Sequence, residues 1–221
     1  MSFEHKQSVT ALSLATFAFA INFSIWMLYA VLAVDLQMSL ELSSTELGLF
    51  FAAPMLSGAL MRIPTGILAD RFSPKLLYTL QMLLTAPSLF FLPFAETIQD
   101  YMLIGLWIGI SGTSFTIGVR YITDWFNRRY QGTTLGIFGA GDAGAAITLA
   151  LAPFLVGHWG LNYIGPIYGV MLIITATVFA LFAPDIKNST QGMPTSMRSS
   201  GRHWITKLQV WRFGLYYYFV F

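Results

Sequence analysis

ELGLFFAAPMLSGALMRIPTGILADR, residues 46–71, carries a single charge, Arg62, between Glu46 and Asp70. A helix rises about 1.5 Å per residue and a bilayer core is about 30 Å thick, so roughly 20 mostly apolar residues suffice to cross it. Residues 47–69 meet that requirement, and Arg62 lies deep inside the crossing. Taking Asp70 as the edge, Arg62 sits roughly 12 Å into the core. An arginine there costs about 2.5 to 3.5 kcal/mol on insertion scales, so it is expected to face a water-filled cavity or an anion, or else to snorkel or pair with a fixed acid.

Working outward, charges bracket further long apolar runs: Lys6 to Asp35, Lys75 to Glu96, and Asp100 to Arg120. Arg129 to Asp185 is too long for one crossing and is broken by Gly157-His158-Trp159-Gly160-Leu161-Asn162, giving two more, with Asp142 as the one acid inside. Six spans result. The first uncharged run, Gln7 to Val34, is too long for a cleaved signal peptide and reads as a retained helix. After Pro184 a polar segment with Lys187, Arg198, Arg202 and Lys207 leads to a short apolar run, Phe213 to Phe221. The expected organisation is a bundle over residues 1–184, a central loop over 185–209, and the start of a seventh span over 210–221.

Composition agrees. Of 221 residues 56% are hydrophobic and 10% charged, with a mean hydropathy of +0.64, where soluble domains carry about 25% charged residues. No water-facing surface could be covered by so few charges. Cysteine is absent, which excludes disulfides and thiolate metal sites. The net charge of +2 comes from short basic clusters between apolar runs rather than a stripe, so nucleic acid is not an expected partner.

The connections alternate in sign. Asp35, Glu41 and Glu46 separate spans 1 and 2, and Glu96 and Asp100 separate spans 3 and 4, without Lys or Arg. Arg71 and Lys75 follow span 2, and Arg128 and Arg129 follow span 4. By the positive-inside rule the amino terminus is expected in the cytoplasm. Asn188-Ser189-Thr190 matches a glycosylation acceptor but falls on that same side, and reads as chance.

Small residues recur four apart in span 5 (Gly132, Gly136, Ala140, Gly144, Thr148) and in span 4 (Gly105, Gly109, Thr113), which predicts close helix packing. Gly139-Ala140-Gly141-Asp142-Ala143-Gly144 fits G-x-G-x-x-G, but inside a membrane span it lacks the strand and helix a dinucleotide site needs. His5, His158 and His203 are scattered among different connections, so no metal site, cofactor or catalytic triad is expected. Asp142 lies at a depth of roughly 16 Å, close to that of Arg62, and the two could form a buried pair. Arg120, near the end of span 4, reads as an edge contact or a snorkelling side chain.

Gly66-Ile67-Leu68-Ala69-Asp70-Arg71-Phe72-Ser73-Pro74-Lys75 resembles the G-x-x-x-D-R-x-G-R-K loop of the major facilitator superfamily, with Ser73 and Pro74 as departures. Arg62-Ile63-Pro64-Thr65-Gly66 is similar to the R-x-P-x-G of its nitrate/nitrite porters. Gly136 to Gly144, continuing to Ala152-Pro153, resembles the nitrate signature of those porters, and Ser114 to Gly118 with Asp124-Trp125-Phe126 resembles their fourth span. The resemblance implies an all-α integral membrane protein: the six-transmembrane-helix amino-terminal bundle of a transporter about twice this length, ending inside the seventh helix.

By that resemblance Arg62 grips the anion and Phe115 stacks beside it, with Gly139, Gly141, Asp142, Gly144 and Tyr29 completing the substrate-binding set. Gly66, Asp70, Arg71 and Lys75 form the cytoplasmic gate loop. Trp26 and Asn22 could line the same cavity. The implied partners are nitrate or nitrite, protons or a counter-transported anion, the lipid bilayer, and a carboxy-terminal half with a second arginine. Asp142 stands where the porters usually have Asn. A protonated Asp offers one donor and one acceptor, as an amide does, and low-dielectric surroundings favour that neutral form. A facilitator for another small anion, a polytopic membrane enzyme, and a stand-alone structural membrane protein remain alternatives.

Overall fold

A computed structural model describes residues 3–39, 41–185, 208 and 212; the expected central loop and seventh span otherwise lie outside them. The described residues form α1 (Phe3–Ser39), α2 (Ser44–Arg71), α3 (Pro74–Phe91), α4 (Ile98–Ile108), α5 (Ser114–Thr123), α6 (Gln131–Gly139), α7 (Ala143–Trp159) and α8 (Leu161–Phe182), with no strand among them. Short 3₁₀ segments, Gly109–Thr113 and Ala140–Asp142, join α4 to α5 and α6 to α7. Six apolar spans follow: His5–Ala33, Ser44–Arg71, Pro74–Phe94, Ile98–Thr123, Gln131–Trp159 and Leu161–Phe182.

The sequence starts and stops these helices by local chemistry. Ser43 caps α2 and Glu46 returns the bond to the Ser43 backbone; Thr97 and Asp100 do the same for α4. Each reciprocal pair satisfies donors that have no partner inside the helix. Ser73 caps α3 with Pro74 in its first turn, where a missing N–H costs nothing. The expected break near residues 157–162 is a single residue, Gly160 at φ 86°, which ends α7 and starts α8. A left-handed backbone of this kind favours glycine.

Span 1 is the hub, packing against spans 2, 4, 5 and 6, while α3 packs mainly on α8. Ala11, Ala15 and Ala18 give it a smooth buried face. Gly144 of span 5 packs on the backbone carbonyl of Ala20, close enough for the Ser24 hydroxyl to donate to the Gly144 carbonyl at 2.9 Å. Thr148 then donates to the Ser24 carbonyl at 3.2 Å, and Tyr168 of span 6 donates to Thr148 at 3.2 Å. Such bonds between membrane helices average about 0.6 kcal/mol, so the chain of three serves registry as much as stability.

A second polar tie joins spans 1 and 3. Gln81 Nε2 donates to Asn22 Oδ1 at 2.9 Å, and Asn22 Nδ2 donates to the Ala18 carbonyl at 2.8 Å, both residues being buried.

The small-residue stripes divide. Gly105 lies under the Tyr29 ring and Gly109 under Pro54 and Ser57 of α2, while Gly144 and Thr148 meet span 1. Gly132 and Gly136, however, have no atom near enough to meet an added Cβ. The tight packing expected along the whole of span 5 holds for its second half alone. Gly144→Ala should therefore lower the thermal midpoint of the purified protein, by the cost of overpacking against backbone, about 1–3 kcal/mol. Gly136→Ala, inside α6 with open space beside it, should not lower the midpoint and should raise it slightly, alanine being the better helix former.

Candidate functional site

Arg62 stands on the α2 face that turns toward span 4. An added Cβ on Gly58, one turn before it, would lie 2.9 Å from the Gly109 carbonyl oxygen. An added Cβ on Gly66, one turn after it, would lie 3.5 Å from Thr116 Cγ2. Residues four apart share a helix face, so Arg62 opposes the Gly112–Thr116 turn that also carries Phe115. Its Nε is buried without a hydrogen-bond partner, and no carboxylate among the described residues lies within ion-pair distance of the guanidinium. It is thus a cation deep in a span, shielded at one nitrogen and without an ion-pair partner among the described residues, a costly arrangement in hydrocarbon.

Pro64 adds to this. Lacking an N–H, it removes the helix bond to the Leu60 carbonyl, so α2 is locally less satisfied next to Arg62.

The Phe115 ring lies 5.5 Å from Phe19 and 5.8 Å from Phe138, and those two stack at 4.8 Å. Gly118 and Gly141 make room: the first lies under the Phe138 ring, and a Cβ on the second would fall 2.5 Å from Phe19. Phe115 is therefore one wall of a three-ring unit rather than a lone aromatic. Neither Phe138 nor Phe19 was singled out from sequence, although Gly118 and Gly141 were the available signal.

The other expected site residues fall in different places. Gly141 and Gly144 face span 1. Gly139 has open space beside it, and Asp142 is exposed at the end of the 3₁₀ turn. No ion pair joins Arg62 and Asp142; the first faces span 4 and the second an open side of span 5. Tyr29 is fully buried, stacked on Phe50 at 4.2 Å, with its hydroxyl donating to the Tyr101 carbonyl. Asn22 is equally buried against span 3, and Trp26 is partly buried beside Phe23.

At the Asp70 end, Arg120 Nε donates to Asp70 Oδ1 at 3.1 Å, and Arg120 Nη1 donates to Asp124 one turn along its own helix. Arg120 is thus the ionic link between spans 2 and 4, not a snorkelling side chain. The spacing of Arg120 and Asp124, four apart, was the visible clue. Arg71 is exposed and Lys75 half-buried, and neither takes part in the ion pairs of the described residues.

Spans 2 and 5, which carry Arg62 and Asp142, are the least covered. In their most apolar stretches 22% and 28% of residues are buried, against 44–50% in the other four.

Comparison with known proteins bears on the family to which the bundle belongs. Residues 12–221 match the Major Facilitator Superfamily. The chain is 32% identical to a probable nitrate/nitrite antiporter of Thermus thermophilus, covering 99% of this chain and 52% of that protein. It is 28% identical to the nitrite extrusion protein of Bacillus subtilis (95% and 52%) and 30% identical to a probable nitrate/nitrite transporter of Mycobacterium tuberculosis (95% and 54%). These relatives carry the names of transporters rather than enzymes, and the chain spans about half the length of each. With six apolar spans, a charge-linked junction of spans 2 and 4, and a match over nearly its whole length, the chain is a multi-pass membrane protein that belongs to the major facilitator superfamily.

Proposed function

We propose that this chain forms the amino-terminal, anion-gripping part of a nitrate or nitrite transporter of the cytoplasmic (inner) membrane, working by alternating access with its amino terminus in the cytoplasm. The observation that carries the reading is Arg62, a deep, unpaired cation whose Nε is already desolvated. A guanidinium offers parallel donors that match two oxygens of a planar anion. The names of the similar proteins favour nitrate and nitrite over other small anions.

The open faces of spans 2 and 5 are where a second bundle would dock, closing the cavity around Arg62 and Phe115. Rocking of the two bundles about that midplane would then expose the site to each side in turn. The residues Gly66, Asp70, Arg71 and Lys75, with Arg120 and Asp124, form the latch at the cytoplasmic side. Gly141 and Gly144 seat span 5 on span 1, which sets the position from which Gly139 and Asp142 reach the cavity, and Asp142 takes up a proton when the anion is bound, which links the two ligands thermodynamically. Tyr29, stacked on Phe50 about 18 Å along α2 from Arg62, ties spans 1, 2 and 4 together rather than touching the anion.

Proteoliposomes made from the complete gene product should take up nitrate or nitrite, and Arg62→Lys should lower uptake at least about tenfold while the protein stays folded, because an ammonium cannot reproduce the paired donors. Wild-type uptake of neither ion rejects the reading. In the same assay Asp142→Asn should flatten the pH dependence of uptake; an unchanged pH profile rejects the proton role. These 221 residues hold no cysteine, so in a complete gene product cleared of any other cysteine, single cysteines at Gln99 and Asn127 should be labelled from opposite sides of sealed vesicles, Asn127 from the cytoplasmic one.

A further inference from the structure

At the end of the bundle that carries Glu96 and Asp100, a shallow open groove of about 280 Å³ runs over the junction of spans 3 and 4, lined by Phe91, Phe94, Ala95, Asp100, Ile104 and Trp107. Three of these six residues are aromatic. Phe91 and Trp107 stack with ring centroids 6.0 Å apart, and Trp107 is fixed by donating from Nε1 to the Leu84 carbonyl at 2.7 Å. The Phe94 ring is 77% exposed.

The one carboxylate in the groove is unevenly used. Asp100 Oδ2 accepts from the Thr97 hydroxyl at 2.7 Å, the Thr97 N–H at 2.9 Å and the Glu96 N–H at 3.3 Å, whereas Oδ1 takes no hydrogen bond among the described residues. The local charge is wholly acidic: between Lys75 and Arg120 the only charged residues are Glu96 and Asp100. Aromatic faces and a free carboxylate oxygen together suit a cation, and they repel an anion.

The groove also has an apolar approach. Leu80 and Leu84 are exposed on the α3 face that leads to Phe91, and Leu103 is exposed beside Trp107 on span 4. Phe94 ends one span and Asp100 stands in the first turn of the next, which places the groove at the border between hydrocarbon and water. Aromatic side chains belong at that level.

We propose that this groove binds the headgroup of an ethanolamine phospholipid, its ammonium donating to Asp100 Oδ1 and resting on the Phe91, Phe94 and Trp107 rings, with the acyl chains lying along Leu80, Leu84 and Leu103. A primary ammonium fits better than a quaternary one because it can donate the hydrogen bond. Lipids without a cationic group have no partner in the groove. The site takes no part in anion binding by Arg62 and is independent of that reading.

Native mass spectrometry of the purified full-length protein, titrated with matched-chain phosphatidylethanolamine, phosphatidylcholine and phosphatidylglycerol, tests it. Phosphatidylethanolamine should be retained over phosphatidylglycerol by about fivefold, the scale of one exposed cation–π contact, and over phosphatidylcholine by about fivefold, the scale of one net hydrogen bond. Asp100→Asn, which keeps an oxygen to cap the helix, should abolish that preference. Phe94→Leu, at a ring too exposed to carry the fold, should reduce it. Equal retention of the three lipids, a preference for the anionic one, or an ethanolamine preference that survives both substitutions overturns the proposal.

Discussion

Hydrocarbon offers no hydrogen bonds, so every span of this chain must satisfy its own backbone and can associate only through fit. The consequence is visible where backbones approach. Gly58 and Gly109 bring spans 2 and 4 together, and Gly144 brings span 5 onto the Ala20 carbonyl of span 1. Once those contacts exist, few polar side chains are needed, and the buried ones are used to fix registry. Asn22 with Gln81 ties span 1 to span 3, and Ser24, Thr148 and Tyr168 tie spans 1, 5 and 6.

The same constraint explains why the two intramembrane charges stand apart. An ion pair between Arg62 and Asp142 would need the two side chains to meet, but Arg62 lies against span 4 and Asp142 stands on the open side of span 5. Arg62 keeps its charge available instead of spending it on a fixed partner. Its flanking glycines, one turn away on each side, are what let it lie against span 4 without being sealed in.

Much of the fold was legible in the residues. The spacing of charges marks all six spans, and the break near Gly160 falls where glycine and asparagine interrupt an overlong apolar run. The fate of the small-residue stripes was not, because a strict four-residue repeat assumes an unbroken α-helix. A 3₁₀ helix has about three residues per turn rather than 3.6, so each such residue adds about 20° of rotation. The Ala140–Asp142 segment thus turns the second half of span 5 away from the first, and Gly136 and Gly144 come to lie on different faces. Of the site, the residue types that answer to charge in lipid were readable one by one. Their neighbours were not: that Tyr29 lies beneath Gly105, or that Phe115 shares its position with Phe19 and Phe138, depends on contacts between distant segments.

Arg120 holds two carboxylates, one on span 2 and one on its own helix. Were span 2 to withdraw Asp70, the guanidinium would keep Asp124 and would never stand bare. The energetic gap between the joined and parted arrangements is then the difference between one partner and two, about 0.2–1 kcal/mol for an exposed pair. That is close to thermal energy at room temperature. Such a junction biases a balance between conformations without locking it, and leaves the occupancy of each to whatever binds elsewhere.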